Sequence, residues 1–118
     1  MDVTPLIRAH QKIIQSYAAG QFRISGEMFT GSVIVGFDFV RPWTDPQIEP
    51  QAFAEFSGQV DVLIIGTGAT ASFVMPAVRQ QFRDLKLPVE MMDTGAACRT
   101  FNVLTAEGRQ VVAALKAV

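Results

Sequence analysis

The chain has 118 residues, 49% of them hydrophobic and 18% charged. That length suits one domain, and the composition excludes a disordered chain, which needs low hydrophobicity and high net charge. Ten basic residues against eleven acidic leave a formal net charge of −1, which offers no electrostatic footprint for nucleic acid.

The start, Met1-Asp2-Val3-Thr4-Pro5-Leu6, carries an early acid and no apolar stretch. It is unlike a secretory signal, so a cytoplasmic location is expected, with residues 1–11 loosely ordered ahead of a single domain. Phe22 and Ile24 then alternate with Arg23 and Ser25, and Gly26-Glu27 can turn the chain. Val33, Val35, Phe37 and Phe39 recur with a period of two, which puts them on one face of a strand. Gly20, Gly26, Gly31 and Gly36 punctuate this region as turns require, and residues 21–40 read as a set of hairpins. Pro42, Pro46 and Pro50 frame a loop around Trp43. Pro50 suits a first helical position, ahead of a short helix that buries Phe53 and Phe56 and stops at Gly58.

The middle reads as a strand–helix–strand unit. Val60 to Ile65 is a short apolar run, the mark of a strand buried on both faces. The longest strongly apolar run is Val62 to Ile65, far short of the ~20 residues of a membrane span. Gly66-Thr67-Gly68 breaks the strand, and Pro76 opens a helix whose Val78, Phe82 and Leu85 lie at i, i+4 and i+7. Leu87-Pro88 ends it and Val89 to Met92 forms the second strand, expected parallel to the first. From Thr94 the period is helical again, through Ala97, Phe101 and Leu104, with Asp93 or Thr94 as its cap. Glu107-Gly108-Arg109 stops this helix. In the tail, Ala113 to Lys116 favour helix, while Val111 and Val112 favour strand.

Several residues invite chemical readings. Asp93-Thr94-Gly95 matches an aspartic-protease signature, but that signature belongs on a loop in an all-β protein, and here a helical pattern follows it. Gly66-Thr67-Gly68-Ala69-Thr70-Ala71 fits the dinucleotide fingerprint G-x-G-x-x-G/A, yet the helix near Pro76 starts too late to meet a pyrophosphate. A geometric expectation survives both. If the two middle strands are parallel, Gly66–Gly68 and Asp93–Thr94 emerge at the same sheet edge, where α/β proteins gather ligands. The candidate anion or nucleotide pocket is Gly66, Thr67, Gly68, Asp93, Thr94, Arg99 and Asn102; its bland alternative is an Asp93–Arg99 pair beside a capped helix. Cys98 falls in the buried stripe, and the one histidine, His10, is far from it in sequence. A packed thiol is the better reading than a Cys–His pair, and one Cys with one His gives no metal site. Arg79, Arg83 and Lys86 form a basic ridge, either a solvated face or a surface for an acidic partner. Trp43 is a core lid, or an anchor for a partner if exposed. An exposed hairpin edge near Trp43 would allow a homo-oligomer.

Gly66-Thr67-Gly68, the run from Val89-Glu90-Met91-Met92-Asp93-Thr94-Gly95 through Ala96-Ala97-Cys98-Arg99-Thr100-Phe101-Asn102-Val103-Leu104, and Glu107-Gly108-Arg109 with an Ala-rich end together carry a resemblance. Gly31-Ser32-Val33-Ile34-Val35 and Trp43 also fit. The chain resembles a family of small uncharacterised domains that includes the mitochondrial NADH:ubiquinone oxidoreductase (complex I) assembly factor 3 and an adipogenesis-associated protein. The similarity spans roughly residues 12–117 and is strongest over 89–109. It implies an α/β fold with a central mixed sheet flanked by helices, an N-terminal β-hairpin element, and residues 110–116 as a last strand antiparallel to the others. It implies no catalytic residue and no cofactor. It points to a non-catalytic protein-interaction or assembly role, with protein partners such as respiratory complex subunits or assembly factors, in a bacterial cytoplasmic member. The alternative is a small anionic ligand or nucleotide binder, or an enzyme, at the sheet edge.

Overall fold

A computed structural model describes residues 11–118, so the expectations for residues 1–10, including His10, lie outside the described residues. The first strands are β1 (Ile14–Ala18), β2 (Gln21–Ile24) and β3 (Glu27–Thr30), joined by two-residue turns into an antiparallel three-stranded sheet. Phe22 and Ile24 are buried and their neighbours Gln21 and Arg23 exposed, as alternation predicts for a sheet with one wet face. β1 was not legible in the sequence, because only Ile14 of its five residues is buried.

β4 (Val33–Val35) and β5 (Val40–Pro42) form a second hairpin. The expected single strand through Phe39 is therefore too long. The Gly36 N–H donates to the Phe39 carbonyl at 2.9 Å, which folds the chain back so that Val35 pairs with Val40. Pro42, expected in a loop, ends the edge strand β5, where no inward N–H is required of it. A 310 helix (Pro50–Phe56) follows and buries Phe53 and Phe56, as expected.

β6 (Val62–Gly66), α1 (Pro76–Asp84) and β7 (Val89–Met92) make the strand–helix–strand unit, and β6 and β7 pair in parallel. α2 (Thr94–Ala106) leads to the last strand, β8 (Val111–Leu115). The five-stranded sheet has the order β5-β4-β8-β6-β7. β8 is antiparallel to β4, as expected, but parallel to β6. The reason is the crossover: α2 carries the chain back along the sheet, so the strand after it starts from the same end as β6 and β7.

All five residues of β8 are buried, and their alternation divides the core in two. Val111, Ala113 and Leu115 join Ile64, Val33 and Val35 beneath α2 and the three-stranded sheet, which contribute Ala97, Cys98, Phe101, Ile14, Phe22 and Ile24. On the other face Val112, Ala114, Leu63, Ile65 and Ile34 pack against Trp43, Phe53, Phe56, Phe82 and Leu87. Burial on both faces explains why β8 could not be told from a helix by period alone.

Candidate functional site

The parallel pairing of β6 and β7 brings Gly66–Gly68 and Asp93–Thr94 to one rim, as expected. The Thr67 N–H donates to the Met92 carbonyl and the Thr94 N–H to the Gly68 carbonyl, each at 2.8 Å. Asp93 is the helix cap, its Oδ1 accepting the Ala96 N–H at 2.9 Å. Thr94 has a different task. Its hydroxyl accepts the Gly68 N–H at 3.0 Å and donates to the Lys116 carbonyl at 2.8 Å. The Lys116 N–H in turn donates to the Gly66 carbonyl at 3.0 Å. The Thr67 hydroxyl donates to the Thr70 carbonyl at 2.8 Å and accepts the Ser72 N–H at 3.2 Å.

This network closes the rim. A Cβ on Gly66 would lie 3.0 Å from the Thr94 Cα and 3.1 Å from both the Ala97 Cβ and the Leu115 Cδ2. Glycine suits this close approach of backbone and side chains, since a methyl group would fit only if its neighbours gave way by a few tenths of an ångström. The polar groups that sequence reasoning aimed at an anion are largely spent on one another.

Arg99 and Asn102 belong to a different place. Together with Ile14, Tyr17 and Cys98 they line a cleft of about 360 Å³ between β1 and α2. The expected Asp93–Arg99 pair is not formed: the ion pairs among the described residues are Arg41–Glu55 and Arg109–Glu107. Asp93 spends its carboxylate on the helix start, and Arg99 is exposed on the β1 side. The Asn102 side chain accepts the Ile14 N–H at 2.9 Å and donates to the Ile14 carbonyl at 2.8 Å, so it ties β1 to α2. Tyr17, which sequence reasoning missed, has its hydroxyl against Gly95; no signal pointed to it, since β1 lacks alternation.

Cys98 is 4% exposed. Burial pushes its thiol up from the ordinary 9.0 to about 12, with the nearby Arg99 charge and a backbone hydrogen bond pulling the other way. It stays protonated at neutral pH and is a poor nucleophile. Trp43 is buried and packs edge-on against Phe53 with ring centroids 5.9 Å apart, so the condition for a partner anchor is not met. Arg79 and Arg83 are exposed on α1. They rim a groove of about 110 Å³ floored by apolar side chains of α1, β7 and the turn between them. Among the described residues no group of three or more His, Cys, Asp or Glu could hold a metal, and no helix is long and apolar enough to cross a membrane.

Residues 14–116 match the model of a family described as a protein of unknown function, DUF498/DUF598. An uncharacterised protein of Rhodobacter capsulatus is 35% identical over 102 residues, covering 86% of this chain and 82% of that protein. The mouse NADH dehydrogenase [ubiquinone] 1 alpha subcomplex assembly factor 3 is 32% identical over 108 residues, covering 86% of this chain but 58% of the factor. Among solved structures, one described as an outer membrane protein from Bartonella henselae superposes with a TM-score of 0.79 at 35% identity, over 92% of this chain and 96% of that one.

Proposed function

The chain belongs to the DUF498/DUF598 family, and from that premise we propose that it is an assembly-factor-like protein working through protein contacts rather than catalysis, in the service of a respiratory complex. The observation that carries this reading is the likeness to complex I assembly factor 3 across most of the chain. The chain spans about three-fifths of that factor's length, so the role carried over is that of the shared domain. Two features of the fold agree with it. The rim where α/β proteins gather ligands is closed by its own hydrogen bonds, and the buried thiol is protonated. The partners in this reading are subunits or assembly factors of the complex, met in the cytoplasm. Cell fractionation separates that location from the outer membrane named for the Bartonella protein.

The test is deletion of the gene in its host, with native-gel activity of the NADH:quinone oxidoreductase as the readout. The expected result is less assembled complex, restored by the tagged protein, which brings complex subunits or assembly factors with it on purification. Normal levels of complex overturn the respiratory role, and a tagged protein that brings down nothing specific overturns the contact role. The reading of a small anion or nucleotide binder has one observation in its favour: Arg99, outside the ion pairs, stands at the cleft beside β1. A melting shift with phosphate or nucleotide that Arg99→Ala abolishes would move the assignment there.

A further inference from the structure

β7 is the last strand of its sheet, and among the described residues nothing pairs with its outer side. The Leu63 N–H donates to Pro88 and the Thr67 N–H to Met92, so alternate residues of β7 face β6. By the same alternation the N–H and C=O groups of Val89 and Met91 point away from the sheet. The groove lies along this free edge, floored by Phe82, Leu87, Val89 and Met91 and rimmed by Arg79 and Arg83. Neither arginine takes part in the ion pairs of the described residues. Arg83 donates only to the neutral Gln80 side chain, at 3.0 and 3.2 Å. Met75, immediately before α1, is 62% exposed.

We propose that the free edge of β7 and the Arg79–Arg83 groove form one docking surface for an extended acidic segment of a partner protein, which adds to the sheet as a sixth strand. The proposal deepens the protein-contact reading and rests on it. Four residues of helix advance about 6 Å, and two residues of strand advance about 6.6 Å. Acidic side chains at every second position of the added strand therefore come into register with both arginines, while an apolar side chain next on the same face covers the groove. Main-chain pairing supplies affinity and the alternate side chains supply selectivity. A second copy of this chain is a poor occupant. Two β7 edges paired antiparallel would put both sets of arginines on one face, like charge against like.

The test uses the full chain and a fluorescein-labelled peptide, Leu-Thr-Glu-Thr-Glu-Thr-Leu, read by fluorescence polarisation. Saturable binding is expected. It should weaken about tenfold in the Arg79→Glu/Arg83→Glu variant, the factor that about 1.4 kcal/mol represents, and be lost when the peptide is N-methylated at alternate residues. A peptide with Lys in place of Glu should bind no better than the N-methylated one. Thermal melting of the variant controls for folding, and Arg79→Gln/Arg83→Gln provides a milder second pair. No binding at millimolar peptide, binding indifferent to charge reversal, or a dimer built on β7 in sedimentation each overturns the proposal. If wild-type protein still brings down its partners while the folded variant does so equally well, the surface is wrong and the contact reading stands. If the peptide binds as expected but wild-type protein brings down nothing, the surface stands and the contact reading fails.

Discussion

A single hydroxyl joins three segments at the sheet rim. Thr94 is fully buried, and its side chain serves the loop after β6 and the chain after β8 at once. Thr94→Val keeps the shape and removes both bonds, leaving the Gly68 N–H and the Lys116 carbonyl without partners. An unpaired buried group costs about 1–3 kcal/mol; these two are half-buried, so the low end applies to each and a loss of about 2 kcal/mol is expected in urea unfolding. Thr94→Ser keeps the hydroxyl and forgoes one methyl, a loss of about 1 kcal/mol. Equal stability of the two variants would show that the hydroxyl is not what holds the rim. The residue-level reading of the sequence located this rim but not the bonds its groups make with one another. Spacing shows that Gly66–Gly68 and Asp93–Thr94 meet; it does not show that the end of β8 arrives between them and takes their bonds. That third segment comes from the far end of the chain, and no local pattern announces it.

At the scale of elements, the two turns of the three-stranded sheet set the register by backbone conformation. Ala19 and Gly20 both have positive φ, 53° and 77°, as do Ser25 and Gly26 at 48° and 86°. Two-residue turns of this hand match the twist of the strands they join. Alanine pays roughly 1–2 kcal/mol for the left-handed region, whereas asparagine is well tolerated there. Ala19→Asn, at an exposed position, should therefore raise stability by about half that cost, roughly 0.5–1 kcal/mol. The urea midpoint should rise with no change of slope; an unchanged or lower midpoint would mean the turn is not the strained point of the hairpin. The elements that were legible share one property, a strong period or a sharp stop. Phe82 with its half-buried neighbours Val78 and Leu85 shows helix α1, and the glycines after Ile65 end β6. Those that were not legible lack it. β1 buries one residue, β4 is cut at Gly36 inside an unbroken alternation, and β8 is buried on both faces with helix-forming alanines at its centre.

For the whole molecule, the question is whether its two sheets unfold together. The three-stranded sheet packs Ile14, Phe22 and Ile24 onto α2 and the larger sheet, and the Asn102 side chain pins it to α2 through the Ile14 backbone. β8 and β6 lie inside the five-stranded sheet with neighbours on both sides, where amides open only with global unfolding. Asn102→Ala removes two bonds to Ile14 and leaves the core of the larger sheet untouched. Hydrogen exchange should then quicken by about tenfold or more at the amides of β1 and β2, since each ~1.4 kcal/mol of local stability is one factor of ten. The amides of β6 and β8 should slow or quicken only by the change in global stability measured in urea. If all four strands respond equally, the sheets form one cooperative unit and Asn102 stabilises the whole of it. The selective response would make the three-stranded sheet a separately opening layer over α2, on the opposite face of the larger sheet from α1 and its arginines. Contacts made along β7 and α1 would then leave that layer free to open, and peptide bound there should protect the β7 amides without slowing exchange in β1 and β2.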